Sequence, residues 1–428
     1  MNLDLPEKSL NIWILFPIET FFLQQRRWRV GKQAFNSDRA KACFEDCEVL
    51  TLARNNVALT QRSTLSIALW HPTVVIAVSY FALLIAMMGI RGYSVLDFVH
   101  LGTVWSQHKP DGTWGYDGQF YYQLAHDPLN AWQFMDNAPY RYQRILYPLL
   151  VSLLSLKFDP LIPYVLLTVN WLAIVLSVDL LARLLVKRGL SQWYSLAAGL
   201  YFGQAAGLTF DTAEPLVYFF ICAGVWLLDE ERFMWAAVMM GLAALTRETA
   251  ILFPAGYLFG FVLQRQWRKA LLFCAAGILP LCVWLGLLYL FFGRTGLTFS
   301  PPFEHLPFAG LFAFVQSPHK FWFLFLLLFL PGVLSGCMIV RELFHRGWWQ
   351  AGPLSIWIMN LLMMVFLSRY SYMELISAGR IGTSLVFAGL LYALQVKDQR
   401  ILFGLQSYAL TFLVFVVGIM LPLSSFIG

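Results

Sequence analysis

About eleven apolar runs, several of them near the roughly 20 residues that a helix needs to cross a bilayer, follow one another between residues 70 and 426. They lie near 70–90, 161–186, 191–209, 213–228, 233–249, 250–264, 270–292, 321–340, 349–368, 374–395 and 401–426. In lipid every backbone N–H and C=O must be bonded internally, so only helices and closed barrels cross. The runs lack the strict alternation of barrel strands. Only 13% of the chain is charged, against about a quarter in soluble domains. The expected fold is therefore an all-α integral membrane protein, a polytopic bundle of about eleven transmembrane helices over 70–428. A tail, 1–69, precedes it, and 91–160 forms a large first extracytoplasmic loop. Within that loop the run 145–156, between Arg144 and Lys157, is too short to cross and reads as an interfacial or re-entrant helix.

The net charge of +6 gathers in the tail, which holds nine Lys/Arg. Basic segments beside a membrane meet anionic headgroups, so the reading is lipid contact and no nucleic acid. The apolar stretch 10–23 is short, interrupted by Pro17 and Glu19 and followed by basic residues, unlike a signal peptide. The tail is thus expected to stay in the cytoplasm. Cys43 and Cys47 lack the second pair that a zinc site needs, and no metal or disulfide is expected. The three histidines of the first loop, His100, His108 and His126, match no metal-ligand spacing. With the tail inside, twenty of the thirty Lys/Arg fall on the cytoplasmic side, in the sense of the positive-inside rule.

The charges left on the outer side are single residues among aromatics and glycines, and ionisable groups near membrane depth tend to mark function. Foremost is Asp117, in Trp114-Gly115-Tyr116-Asp117-Gly118-Gln119-Phe120-Tyr121-Tyr122. Asp-Gly is a common turn dipeptide, but a solvated turn does not need four aromatics around it. Asp117 is a candidate general base, with Gly115 and Gly118 leaving room for a substrate at the backbone. Tyr116, Gln119 and Tyr121 are candidate sugar contacts. Arg141 and Arg144 share a face if helical. They either anchor the short helix at the interface or grip a phosphate bidentately.

In Asp211-Thr212-Ala213-Glu214-Pro215 the spacing of Asp211 and Glu214 resembles a capping box, and both acids are also candidate sugar ligands. Arg247 and Glu248 are neighbours that cannot pair on one helix face and are expected to face a polar cavity. Arg369 and Arg380 complete the candidate phosphate set. No glycine-rich phosphate loop opens a nucleotide fold, so the donor is expected to arrive in lipid and no cofactor is expected.

Asp-Gly-Gln-Phe-Tyr-Tyr at 117–122, Tyr-Arg-Tyr-Gln-Arg-Ile-Leu-Tyr-Pro at 140–148 and Leu-Thr-Arg-Glu-Thr at 245–249 resemble the GT-C superfamily of polytopic glycosyltransferases. Within it the resemblance is to bacterial relatives of the GPI-anchor mannosyltransferases, over roughly residues 70–395. It implies a polyprenyl-phosphate sugar donor, a glycan or glycolipid acceptor, and transfer with inversion at the outer face of the inner (plasma) membrane. It also implies that Asp117 acts as base. Many members carry two adjacent acids at that place, where this chain has Tyr116 and Asp117. The rival readings are a flippase or transporter of lipid-linked glycans, which Asp179 inside the run 161–186 suits better, and a surface-polysaccharide polymerase or ligase.

Overall fold

A computed structural model describes residues 71–299, 302–346 and 351–420, and every regular element among them is helical. The expectations for the basic tail, and for Cys43 and Cys47, lie outside the described residues.

The first long helix, α1 (Pro72–Arg91), starts on His71, whose ring accepts from the Thr73 N–H, and on Pro72 in its first turn. It stops at Gly92 in the left-handed conformation, φ 70°, which glycine adopts without steric cost. The loop that follows carries α2 (Gly118–His126), α3 (Ala138–Tyr142) and α4 (Leu146–Leu154). Then come α5 (Ile162–Lys187), α6 (Phe202–Thr209), α7 (Glu214–Asp229), α8 (Phe233–Thr246) and α9 (Leu252–Leu263). The rest of the bundle is α10 (Trp267–Phe292), α11 (Pro318–His345), α12 (Ala351–Val365), α13 (Leu375–Val396) and α14 (Gln399–Met420).

Six of these stretches are long and apolar enough to cross a membrane: Pro72–Arg91, Asp159–Lys187, Trp267–Phe292, Pro318–His345, Leu375–Val396 and Gln399–Met420. Among the described residues this measure gives six rather than the expected eleven, because the middle of the chain is built from shorter apolar helices. The run 191–209 is the clearest departure. It breaks into Gln192–Ser195, Leu196–Gly199 and α6. Its glycines press against protein rather than lipid: a methyl group on Gly199 would strike Ile76 and Val178, and one on Gly203 would strike Thr383 and the Gly379 carbonyl. Small residues allow such close helix approach. The run 145–156 forms only the nine-residue α4, too short to cross, as expected.

Burial sorts the long helices. In its most apolar stretch α13 is 89% buried, whereas the corresponding figure for α10 is 22%. The first is a central helix and the second presents most of its surface outward. The loop elements pack onto this frame as a second layer with two small cores. Tyr121 and Ala125 of α2 meet Tyr147, Val151 and Leu166, and Phe120 and Leu124 meet Tyr142, Ile145 and Leu288. Burying each such large side chain contributes on the order of 1.5–3 kcal/mol. The Trp284 indole N–H donates to the Tyr142 carbonyl at 2.9 Å, tying α10 to the loop.

Charged groups occupy the two ends of the bundle. At one end, where α5 and α7 finish and α14 begins, Lys187 and Arg188 pair with Asp229, and Arg341 pairs with Asp398. At the other end lie the starts of α7 and α13, the end of α8, and the loop. Asp179 is held locally, by Arg183 at 2.6 Å and the Thr73 hydroxyl at 3.3 Å.

Candidate active site

Asp117 sits at the mouth of α2, and the preceding loop crosses itself to put it there. The Tyr116 N–H donates to the His100 carbonyl at 3.0 Å and the Val104 N–H to the Thr113 carbonyl at 3.1 Å. At the crossing point a methyl group on Gly102 would strike the Trp114 carbonyl, and one on Gly115 would strike the Gly102 N–H. Gly115 also has φ +69°, which a residue with Cβ adopts only with strain. The Gln119 side chain locks the crossing, accepting from the Gly102 N–H at 3.0 Å and donating to the Trp114 carbonyl at 2.8 Å. A methyl on Gly118 would strike the Phe210 carbonyl. Two expectations are corrected here. Gly115 and Gly118 make room for protein backbone rather than substrate, and the Gln119 amide is committed to holding the loop.

The Asp117 carboxylate takes no part in capping α2; it meets two arginines instead. Arg141 Nη1 donates to Oδ1 and Arg380 Nη2 to Oδ2, each at 2.8 Å. Burial alone would push its pKa up, but Arg141 and then Arg380 outweigh this and hold it well below the usual carboxylate range. Arg141 also forks onto Asp136 at 2.7 and 2.8 Å, and its guanidinium lies over the Phe120 ring, 4.1 Å from the centroid.

Arg380 continues the network inward. Its Nε donates to Glu214 at 2.6 Å, and Glu214 is paired in turn with Arg247. Arg144 forks onto Glu248 at 2.7 and 2.9 Å and donates to the Tyr140 hydroxyl at 2.6 Å. As the spacing suggested, Arg247 and Glu248 do not pair with each other. Arg141 and Arg144 do not share a face either: α3 ends at Tyr142, and the break before α4 sends one to Asp117 and the other to Glu248. Four arginines and four carboxylates from the loop, α7, the α8–α9 junction and α13 thus meet as one chain, Asp136–Arg141–Asp117–Arg380–Glu214–Arg247, and one separate pair, Arg144–Glu248.

Two cavities open on this network. One, of about 170 Å³, is lined by Arg144, Arg247 and Arg380, by their partners Glu214 and Glu248, and by Ser368, Ser371 and Ser384. Phe303, Met363, Leu367 and Ile381 give it an apolar side. Arg380 Nη1 has no hydrogen-bond partner among the described residues. The other cavity, of about 260 Å³, is lined by Asp117, Asp136, Arg141 and Glu374, with Trp105, Trp114 and Tyr116 as aromatic walls. Asp117 and Arg380, in contact, join the two.

Other expected residues fall elsewhere. Tyr121 is buried in the loop core, edge-on to Tyr147 at 5.3 Å. Asp211 is fully buried with φ +45°, and neither carboxylate oxygen has a hydrogen-bond partner among the described residues; burial pushes its pKa well up. The capping-box expectation is not met. The N-cap of α7 is Ala213 and receives no side-chain bond, because Glu214 is drawn to the arginines. Arg369 is exposed, with its guanidinium over its neighbour Tyr370, apart from the network. The loop histidines are dispersed: His100 stacks on Phe210, His108 on Phe134, and His126 pairs with Asp159. Asp136 and Glu374 are among the outer-side charges of the sequence but carry no assigned role there, and the Ser368, Ser371 and Ser384 hydroxyls were not singled out. The signal for Asp136 is its position one residue before the Asn137 cap of α3, which aims it at Arg141.

Residues 145–296 match the family model of glycosyltransferase family 87, a GT-C-type family. No curated protein and no solved structure matches the chain. The matched stretch supplies Glu214, Arg247 and Glu248 of the network. This match, over about a third of a chain whose described elements are all helical and in part long and apolar enough to cross a membrane, supports a membrane glycosyltransferase of the GT-C type.

Proposed function

We propose that the enzyme transfers a sugar from a polyprenyl-phosphate monosaccharide to a hydroxyl of a glycan or glycolipid at the outer face of the plasma membrane, by single displacement with inversion. The observation that carries this reading is the cavity lined by Arg144, Arg247 and Arg380, the last of which also holds the Asp117 carboxylate. Planar guanidinium groups suit phosphate oxygens, and the apolar wall suits the first isoprene units of a lipid carrier.

In the reaction the acceptor oxygen bonds to the anomeric carbon as the bond from that carbon to the phosphate oxygen breaks. The electron pair leaves with polyprenyl phosphate, and the acceptor proton passes to Asp117. Negative charge grows on the phosphate as the bond breaks, and Arg144, Arg247 and Arg380 are placed to stabilise it. In the resting site Asp117 is a weak base, since two charged donors occupy its oxygens. Arg380 borders the arginine-lined cavity as well, so an entering phosphate competes for it and returns basicity to Asp117. Donor binding would thereby prepare the base.

The test is to incubate purified protein in lipid nanodiscs with a panel of radiolabelled polyprenyl-phosphate sugars and extracted membrane glycolipids. The expected result is labelled glycolipid formed from one of the donors. Lipid movement without bond formation, or transfer from a nucleotide sugar alone, would overturn the proposal.

A further inference from the structure

Gly115, Tyr116 and Glu374 form a partition with a chamber on each side. One side is the Asp117 chamber. The other is a larger cavity, about 550 Å³, bounded by Met87 and Arg91 at the end of α1 and by Gly418 and Ile419 at the end of α14. Its far wall is His100 and Phe210, stacked at 4.2 Å, with Tyr116 edge-on to Phe210 at 4.9 Å.

We infer that this cavity is the acceptor's docking site and that the acceptor is an amphiphile. It would be a glycolipid whose sugar end passes Tyr116 and Glu374 to reach Asp117, and whose anionic lipid-proximal group rests on Arg91. The inference rests on Asp117 being the transfer site. Three features support it. First, inversion requires the nucleophile to approach the anomeric carbon from the side opposite the leaving phosphate, so the two substrates need separate routes to Asp117. The arginine-lined cavity serves one route and this cavity the other.

Second, the walls grade from apolar to polar. Met87 and Ile419, themselves buried, face the cavity from α1 and α14, two helices only 28% and 33% buried in their apolar stretches, so the cavity's apolar end lies beside lipid-facing helices. Thr113 and Glu374 lie toward the Asp117 side, and aromatic faces line the way between, as in sites that hold a ligand by shape with a few polar groups. Third, Arg91 is exposed and has no ion-pair partner among the described residues. As the last residue of a membrane-length helix it stands where a headgroup phosphate lies. Glu374, at the partition, is placed to accept hydrogen bonds from acceptor hydroxyls.

The anionic group that Arg91 would hold can belong to the glycolipid or to bulk phospholipid, and the experiment separates the two. Full-length protein in nanodiscs carries a photo-crosslinking residue, Ile419→p-benzoylphenylalanine, or the same change at the exposed Leu287 of α10 as control. It is offered radiolabelled membrane glycolipids with or without excess phosphatidylglycerol. Capture at 419 but not at 287, surviving excess phosphatidylglycerol and weakened by Arg91→Glu, is the expected result. Equal capture at both positions, or capture abolished by phosphatidylglycerol, overturns the inference. In the transfer assay Glu374→Gln should raise the acceptor KM about tenfold, as loss of a charge-assisted hydrogen bond does, and leave the donor KM in place. An unmoved acceptor KM also overturns it. If the parent enzyme uses no polyprenyl-phosphate donor, the proposed function fails while the crosslinking result still decides whether a glycolipid docks here.

Discussion

Arg380, on the second turn of α13, holds the Asp117 carboxylate of the first loop at 2.8 Å across 263 positions of sequence. The same guanidinium is fastened to Glu214 and borders the arginine-lined cavity. The proposed base and the proposed phosphate site are therefore linked through one side chain, and the behaviour of Asp117 depends on what Arg380 faces.

That dependence should be visible in pH profiles. The resting Asp117 pKa lies below its unfolded value, about 3.9 for Asp. Its pairing therefore contributes stability that is complete above about pH 4 and fades as pH falls through the folded pKa. On the acid side kcat/KM, which reports the free enzyme, should carry no Asp117 limb above about pH 5. The kcat profile, which reports the bound complex, should carry an acid limb at higher pH once phosphate has drawn Arg380 away. Asp117→Asn should lower kcat by about 10²–10⁴-fold while reaching the membrane at normal levels. Near-parental turnover in that variant would remove Asp117 from the role of base.

The Arg144–Glu248 pair separates stability from donor recognition. Arg144→Ala leaves Glu248 buried without its partner, which should cost about 3–5 kcal/mol, read as a lowered Tm in detergent. Replacing both partners, Arg144→Met with Glu248→Leu, should restore most of the Tm, because an apolar pair of similar volume needs no desolvation. The donor KM should stay raised in the double variant. Full recovery of donor use would show the pair to be structural only.

Asp211 carries the opposite linkage. Burial raises its folded pKa above the unfolded value, so the folded chain binds more protons than the unfolded one. Stability is then lost as pH rises above about 4. The Tm difference between Asp211→Asn and the parent should accordingly grow in the variant's favour from pH 4 to pH 8. A difference constant across that range would mean that Asp211 is ionised in the fold.

Gly115→Ala tests the loop crossing. At φ +69°, with the Gly102 backbone against it, an added methyl group must push the two segments apart. Transfer should fall steeply while the Tm of the helical bundle changes little, and limited proteolysis should cut sooner between 100 and 118. Unchanged activity would show that the crossing does not position Asp117.

Much of the network was legible in the sequence. Asp117, Arg141, Arg144, Glu214, Arg247, Glu248 and Arg380 stand out because charges beside apolar runs are costly to keep, and the structure links five of them by ion pairs, with the Arg144–Glu248 pair on the arginine-lined cavity. Which acid meets which arginine was not legible, because partner choice follows from helix ends. Arg141 and Arg144 are separated by the stop of α3 after Tyr142, a detail that spacing alone misses. The run 191–209 misleads for a different reason. Hydropathy cannot distinguish burial in lipid from burial in protein, and Gly199 and Gly203 pack against other helices. Gln119 is a common sugar-binding residue type, yet both ends of its amide are occupied by the loop it fastens.

The even match of four arginines to four carboxylates bears on how a catalytic cycle ends. A phosphodiester donor brings one negative charge, whereas the spent monoester carries about −1.5 to −2 at pH 7. In the proposed reaction, while Asp117 keeps the acceptor's proton, these eight groups are net positive by one and hold the spent carrier. Once that proton escapes to water the balance returns to zero, the hold slackens, and the carrier is free to diffuse back into the bilayer. Turnover would then be timed by a proton's departure, with no lid or outside energy source needed to clear the site.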